Sequence, residues 1–474
     1  MPTVAALDPE PSLPAERKQH RLSSNSSIDA AGDEDVDTFS YNSRPPPELY
    51  SGQGEDTTPR SPRRSPHKKS ASLKTNGLSK DKKDGQVVVE RYEDKDGEHL
   101  VSIRQAWARG KGKAIATRRN SELVSGRKAG AGWEQSHIHF APLSVPLKRR
   151  LQTLVVLGHT LSVALLLGTF FLLCAIPLFW PVLVPYLVYV LFSSAGHSGT
   201  LPHRSNFLRS LPIWSLFASY FPARLHRSAI LAPTRKYIFG YHPHGIISHG
   251  AFAAFATEAL GFSQLFPGIT NTLLTLDSNF RVPLYREYIL LMGLASVSRE
   301  SCANLLSRGG PNGEGMGRGI TIVVGGARES LDARPHSLRL VLKRRKGFVK
   351  LAIRTGADLV PVLAFGENEL YDQVQPDQHP LIHKTQLVMK KVLGFTVPLF
   401  HARGVFNYDV GMMPYRRPLN IVVGRPIKVQ QANMPEETYV DELHDVYVKE
   451  LERIWEEWKD EFAMERTGEL QIVE

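Results

Sequence analysis

Two histidines flank a proline in Phe239-Gly240-Tyr241-His242-Pro243-His244-Gly245. A neutral imidazole can take a proton from a hydroxyl, so His242 and His244 offer general-base chemistry. A core strand does not explain them, because proline removes a ladder donor. Tyr237 and Ile238 continue an apolar, aromatic run that predicts a buried strand leading into the pair. Ile246-Ile247-Ser248-His249 predicts the start of a helix behind it. At such a turn the helix N-terminus favours negative charge and lowers a nearby histidine pKa. Pro243 fixes one backbone angle, and Gly245 lets a substrate approach the main chain. His249 adds a third imidazole, but no cysteine lies near and no carboxylate is paired with the set, so no metal is expected.

The elements that must position this turn occupy part of a long chain. Its 474 residues exceed one ordinary domain, and its net charge of +11 suits nucleic acid, an anionic membrane or phosphorylated ligands. Residues 1–132 are rich in Ser, Pro, Gly and charge and poor in aromatics, which predicts a disordered tail. The tail lacks the aromatics that would interleave its charges for base stacking, so nucleic acid is not expected as a partner. Lys111, Lys113, Arg118, Arg119, Arg127 and Lys128 could lie against an anionic leaflet. Thr58, Ser61, Ser65 and Ser121 sit in phosphorylation-site contexts that composition alone also produces. Cys174 and Cys302 lie far apart and suggest no disulfide framework.

Residues 151–192 contain no Asp, Glu, Lys or Arg. The run is far longer than the ~20 residues of one span and is broken by Pro177, Pro181 and Pro185. It predicts a membrane hairpin of two helices over 151–194, or a re-entrant hairpin in one leaflet. Lys148-Arg149-Arg150 in front of it predicts a cytoplasmic N-terminus, with both termini on that side. Over residues 203–232, Trp214, Phe217, Tyr220 and Phe221 alternate with Arg204, Arg209, Arg224 and Arg227. That mixture suits a segment on the headgroups or a packed surface helix.

From Arg235 onward strands and helices alternate, which predicts an α/β domain with a largely parallel sheet, taken as residues 203–474. Strands are expected at 320–324, 357–364 and 420–423, and helices at 347–355 and 435–458. Chemistry in such sheets collects beyond the strand C-termini. The histidine turn, Gly325-Gly326-Ala327-Arg328-Glu329-Ser330 and Phe365-Gly366-Glu367-Asn368-Glu369 all fall there.

These loops, in this order, resemble the type-2 diacylglycerol acyltransferase family. Pro283-Leu284-Tyr285-Arg286-Glu287-Tyr288, Arg345-Lys346-Gly347-Phe348-Val349-Lys350, Gly356-Ala357-Asp358-Leu359-Val360-Pro361 and His401-Ala402-Arg403-Gly404 add to the likeness. The resemblance implies acyl transfer from acyl-CoA to diacylglycerol at the endoplasmic reticulum membrane and lipid droplet. Acyl-CoA is then a substrate, no cofactor is expected, membrane lipid is a partner, and a homo-oligomer is left open. The related His-x4-Asp motif of glycerophosphate acyltransferases is not kept, because His249 stands where Asp would. Another group must orient the imidazole, and Glu329, Glu367 and Glu369 are the candidates by loop position. The family's Phe-Leu-x-Leu lipid motif is not matched by Phe171-Leu172-Leu173-Cys174.

Within that chemistry His244 is expected to be the base and His242 to orient the loop. Backbone amides after Gly245 would hold the oxyanion. Arg344, Arg345, Lys346 and Lys350 form a basic cluster that suits the phosphates of CoA, anionic headgroups or plain solvent. The alternatives are monoacylglycerol or long-chain alcohol (wax) esterification, and a non-catalytic lipid-droplet scaffold.

Overall fold

Short runs of Val, Ile, Leu and Phe form the strands, named in chain order. They are β1 (Val87–Glu93), β2 (His99–Gln105), β3 (Arg224–Arg227), β4 (Tyr237–His242), β5 (Thr270–Thr275), β6 (Ala295–Ser296) and β7 (Arg318–Val323). Then come β8 (Arg339–Val341), β9 (Asp358–Phe365), β10 (Asp372–Gln373), β11 (Phe400–His401), β12 (Asn420–Val423) and β13 (Gln471–Val473). The structure, a computed structural model, describes residues 87–93, 99–105, 140–142, 144–373 and 400–473.

One nine-stranded sheet runs in the order β1-β2-β3-β12-β9-β4-β7-β5-β6. The block β9-β4-β7-β5-β6 is parallel throughout. β12 turns the direction by pairing antiparallel with β9, and β3 follows it in parallel. The expected largely parallel α/β sheet is therefore present. Every residue of β4 and β9 is buried, which is why both read as continuous apolar runs rather than alternating ones. The helix Gly347–Thr355 and the long helix Glu437–Phe462 cover one face of the sheet. Phe348, Leu351, Tyr447, Leu451 and Ile454 supply their buried stripe.

The disordered tail expected over residues 1–132 is corrected in part. β1 and β2 form an antiparallel hairpin inside that range, and β2 extends the main sheet by pairing with β3. Tail-wide composition hid two local β runs, Val87-Val88-Val89 and Leu100-Val101-Ser102-Ile103. Leu100 is buried, the Tyr92 ring stands edge-on to His226 at 5.2 Å, and Arg224 bonds Glu90 and Tyr92. The phosphorylation contexts and the tail's basic residues lie outside the described residues. Deleting residues 1–130 is expected to lower the melting temperature by roughly 3 °C or more relative to deleting 1–84, because a buried leucine alone contributes about 2 kcal/mol. Equal melting temperatures for the two truncations would refute a structural role for the hairpin.

The apolar run also differs from the expected two-helix hairpin. It folds as α1 (Leu147–Thr160), α2 (Ser162–Cys174) and α3 (Trp180–Phe192). α1 and α2 meet at a 66° bend, and among the described residues no single helix is long and apolar enough to cross a membrane. α1 belongs to the domain instead. Its Gln152 and Val156 are buried, Gln152 donates to Ser219 Oγ at 2.9 Å, and Arg416 donates to Gln152 at 2.8 Å. α2 and α3 expose Phe171, Leu172, Leu191 and Phe192, and the short turn between them exposes Leu178. Tyr186 of α3 ties them to the domain by accepting from the Leu284 amide at 2.7 Å and donating to Glu287.

The aromatic residues of the mixture at 203–232 pack into the domain, as in the second of the two expected arrangements. Trp214, Phe217, Tyr220 and Phe221 are buried around the helix Pro212–Tyr220. Three of the four arginines, Arg204, Arg209 and Arg227, donate to backbone carbonyls. Buried Arg209 donates to Phe255, Ala256 and Met292, and Arg227 donates to Leu265.

Candidate active site

β4 lies between β7 and β9, and all three run in one direction. Their C-terminal ends release three adjacent loops, carrying His242 and His244 on β4, Glu329 after β7, and Glu367 and Glu369 after β9. Parallel strands thus bring the β4 loop against groups that lie 85 and 126 residues further along the chain.

The loop after β4 is gripped from both sides. On the β7 side, the His244 amide donates to Glu329 Oε1 and the Val341 amide donates to Glu329 Oε2 at 2.9 Å. On the β9 side, Tyr241 Oη and the Gly250 amide both donate to Glu367 Oε2, at 2.7 and 3.0 Å. Gly245 has φ +58°, and a Cβ there would lie 2.7 Å from Glu367 Cγ. Its missing side chain therefore admits Glu367, not substrate as its position suggested. A Cβ on Gly250 would meet Tyr241 Oη at 2.4 Å.

Among the described residues no carboxylate bonds either imidazole, in contrast to the expectation. His244 Nδ1 lies 2.9 Å from the Gly245 carbonyl, which can only accept, so Nδ1 carries the proton. Nε2 is then a bare lone pair on a half-buried ring. Burial lowers the His244 pKa, which keeps that lone pair free at neutral pH. The direction agrees with the sequence reading but the cause does not. The helix expected from Ile246 begins only at His249 and continues as a π-helical stretch over Phe252–Ala256, so its first residue stands five positions beyond His244. His242 is fully buried, with its pKa lowered to about 3 by burial, and its Nε2 lies 3.0 Å from Tyr447 Oη. His249 faces elsewhere, bonded to Tyr371 Oη at 2.8 Å and stacked on Phe221. Among the described residues no group of three or more His, Cys, Asp or Glu side chains could hold a metal.

Glu369 does not join the site. It accepts from the His336 amide at 2.7 Å and pairs with the His336 ring. The basic cluster is divided as well. Lys346 and Lys350 pair with Asp441 and Glu437 of the C-terminal helix, each at 2.7 Å, while Arg344 stands exposed and Arg345 faces Glu329 electrostatically. A cleft of about 680 Å³ at the opposite end of β4 and β9, lined by Arg235, Tyr237 and Asp358, contains none of these groups.

Sequence reasoning missed the hydroxyls of Tyr241, Tyr371 and Tyr447. The Tyr447 ring lies in the buried stripe of the helix Glu437–Phe462. Its polar end had no signal beyond the unusual Gly240 inside a buried strand.

Burial raises the Glu329 pKa to about 7, against the pull of its two amide donors and Arg345. One amide sits on each oxygen, so a proton on either oxygen displaces a donor. Turnover is therefore expected to fall as pH drops through about 7, well above the ordinary carboxylate range. A kcat–pH profile that stays flat to pH 6 would instead leave His244 alone in control.

The diacylglycerol acyltransferase family model matches residues 171–473. The chain is 50% identical over 339 residues to diacylglycerol O-acyltransferase 2A of Umbelopsis ramanniana, covering 71% of this chain and 94% of the relative. Diacylglycerol O-acyltransferase 1 of Schizosaccharomyces pombe is 45% identical over 322 residues, 68% and 91% of the two chains. The 2-acylglycerol O-acyltransferase 1 of Bos taurus is 44% identical over 332 residues, 69% and 97%. No solved structure matches.

Proposed function

The chain belongs to the diacylglycerol acyltransferase family, and from that premise we propose that it transfers a fatty acyl group from acyl-CoA to diacylglycerol, giving triacylglycerol. The observation that carries the reaction is the bare Nε2 of His244, held in place by the Gly245 carbonyl and the Glu329 clamp. His244 takes the proton of the acceptor hydroxyl as its oxygen attacks the thioester carbonyl. The tetrahedral oxyanion then collapses, the C–S bond breaks, and the CoA thiolate takes the proton from the imidazolium. Backbone amides of residues 245–247 are the proposed oxyanion donors.

No acyl-enzyme is invoked. Cys302 is buried with its thiol pushed up to about 12, and Ser330 donates its proton to the Ala327 carbonyl. Neither has an activating base. Arg344, with Arg345 behind it, remains the proposed contact for CoA phosphates. Lys346 and Lys350 join only by releasing surface ion pairs, which are worth about 0–1 kcal/mol each.

The acceptor is apolar, so the site has to meet a membrane. We assign that contact to α2 and α3, whose exposed apolar side chains suit lipid. α2 has 13 residues, about 20 Å of helix against a hydrocarbon core of ~30 Å. A hairpin embedded in one leaflet fits these lengths and keeps both termini cytosolic. Such a hairpin also suits a lipid-droplet monolayer as well as the endoplasmic reticulum. The protein is expected to stay with membranes in high salt and alkaline carbonate, and deletion of residues 162–192 to release or aggregate it. Soluble, active protein after that deletion defeats the anchoring.

Membranes carrying the protein, given labelled acyl-CoA and diacylglycerol, should yield labelled triacylglycerol. Monoacylglycerol deserves a parallel arm because a 2-acylglycerol O-acyltransferase is 44% identical to this chain. A long-chain alcohol completes the set. No labelled ester with any acceptor would favour the scaffold reading.

A further inference from the structure

Tyr447 sits on the helix Glu437–Phe462, with its ring against Phe348 at 4.9 Å between centroids. The side chain is fully buried. Its hydroxyl reaches the main chain of β4, donating to the Gly240 carbonyl at 3.1 Å. The same oxygen lies 3.0 Å from His242 Nε2. A hydroxyl has one proton, so with that proton on Gly240 the Tyr447 oxygen must accept from His242 Nε2–H. This fixes the His242 tautomer, with Nδ1 bare. That Nδ1 is buried and has no hydrogen-bond partner among the described residues.

Gly240 is shaped for this contact. A Cβ at that position would lie 1.9 Å from Tyr447 Oη and 2.9 Å from Cζ. Any larger residue in β4 would expel the hydroxyl. The strand therefore carries a glycine in its buried interior, where glycine is otherwise unfavourable, at the one place where a side chain from 207 residues away must touch its backbone. Burial also raises the Tyr447 pKa well above the ordinary value, so the hydroxyl keeps its proton.

We propose that Tyr447 is a positioning residue for acyl transfer, locking the ring and tautomer of His242 and, through the end of β4, the placement of His244. Glu329 and Glu367 hold the loop's backbone, and Tyr447 holds the strand end from which it departs. Tyr447 touches neither substrate nor reacting atom. The inference rests on the acyltransferase reading proposed above. Its effect should therefore appear in kcat and not in substrate binding.

The test uses the full chain in membranes, with turnover normalised to folded protein. Tyr447→Phe keeps the ring and removes the hydroxyl. It should lower kcat by about 10- to 100-fold with the KM for acyl-CoA unchanged. On a His242→Asn background, which lacks an N–H near the Nε2 position, the same change should add little, because the two residues act as one unit. A second pair guards against poor folding of Tyr447→Phe. Gln places an N–H near Nε2 and Asn places one near Nδ1, so His242→Gln should retain more turnover than His242→Asn. Wild-type kcat in Tyr447→Phe, additive losses in the double variant, or His242→Asn outperforming His242→Gln would each overturn the proposal. Failure of the acyltransferase reading is a separate result, seen as no labelled ester from the wild-type chain.

Discussion

His244→Ala is expected to lower turnover by about 10²–10⁴, the usual worth of a positioned general base, with little change in acyl-CoA affinity. The assignment follows from hydrogen-bond inventory. His244 gives its Nδ1 proton to the Gly245 carbonyl, so Nε2 has only a lone pair to offer, and the ring is half-buried rather than sealed. His242 is sealed, and its Nε2 engages Tyr447. His242→Ala should also be severe, because it removes the N–H donor to the Tyr447 hydroxyl and opens a cavity beneath the loop. The two losses should differ in kind. His244→Ala should leave the melting temperature nearly unchanged, whereas His242→Ala should lower it. The measurements are initial rates in microsomes at matched expression, acyl-CoA binding, and thermal unfolding. Near wild-type turnover in His244→Ala together with an inactive His242→Ala would reverse the roles. Full activity in both would remove general-base catalysis from this loop.

The order of chemistry along the chain was legible because it follows from local pattern. The helix 347–355 and the strand 420–423 fall where the apolar spacing put them. The three strand-end loops are adjacent because β9, β4 and β7 are neighbours in a parallel block. Atomic partners were not legible. Glu329 stands in the right loop, yet it reaches the His244 amide and not its ring, a choice made by β8 supplying the second amide at Val341. β8 is itself held by β13, through Leu342 N to Val473 O at 3.0 Å. Lys346 and Lys350 looked like one basic patch until the C-terminal helix arrived with Asp441 and Glu437. Likewise α1 read as membrane-embedded by hydropathy, but Gln152 and Val156 face the domain. Each miss is a contact across long sequence separation, where periodicity carries no information.

Glu329 is where those long-range contacts converge, and it gives the second large effect. Two N–H donors approach its two oxygens from opposite directions. Glu329→Gln keeps the shape but places an NH2 against one of those N–H groups, so the substitution is not conservative. It should lower kcat by about 10² or more, close to the loss in Glu329→Ala, because loop geometry depends on both bonds. The stability effect has the opposite pH dependence from that of a carboxylate whose pKa is depressed by a salt bridge. The folded-state pKa of Glu329 is raised from 4.5 to about 7, so its stabilising share is fully present below pH 4.5 and is lost as pH rises through about 7. The raised value corresponds to about 3 kcal/mol for ionising the buried acid. Glutamine has no such ionisation. The melting-temperature gap between wild type and Glu329→Gln should therefore be widest near pH 5 and narrow toward pH 8. A gap that widens with pH would mean that the carboxylate is stabilised by its amide donors more than it is penalised by burial. Wild-type turnover in Glu329→Gln would show that the His244 amide does not need this clamp.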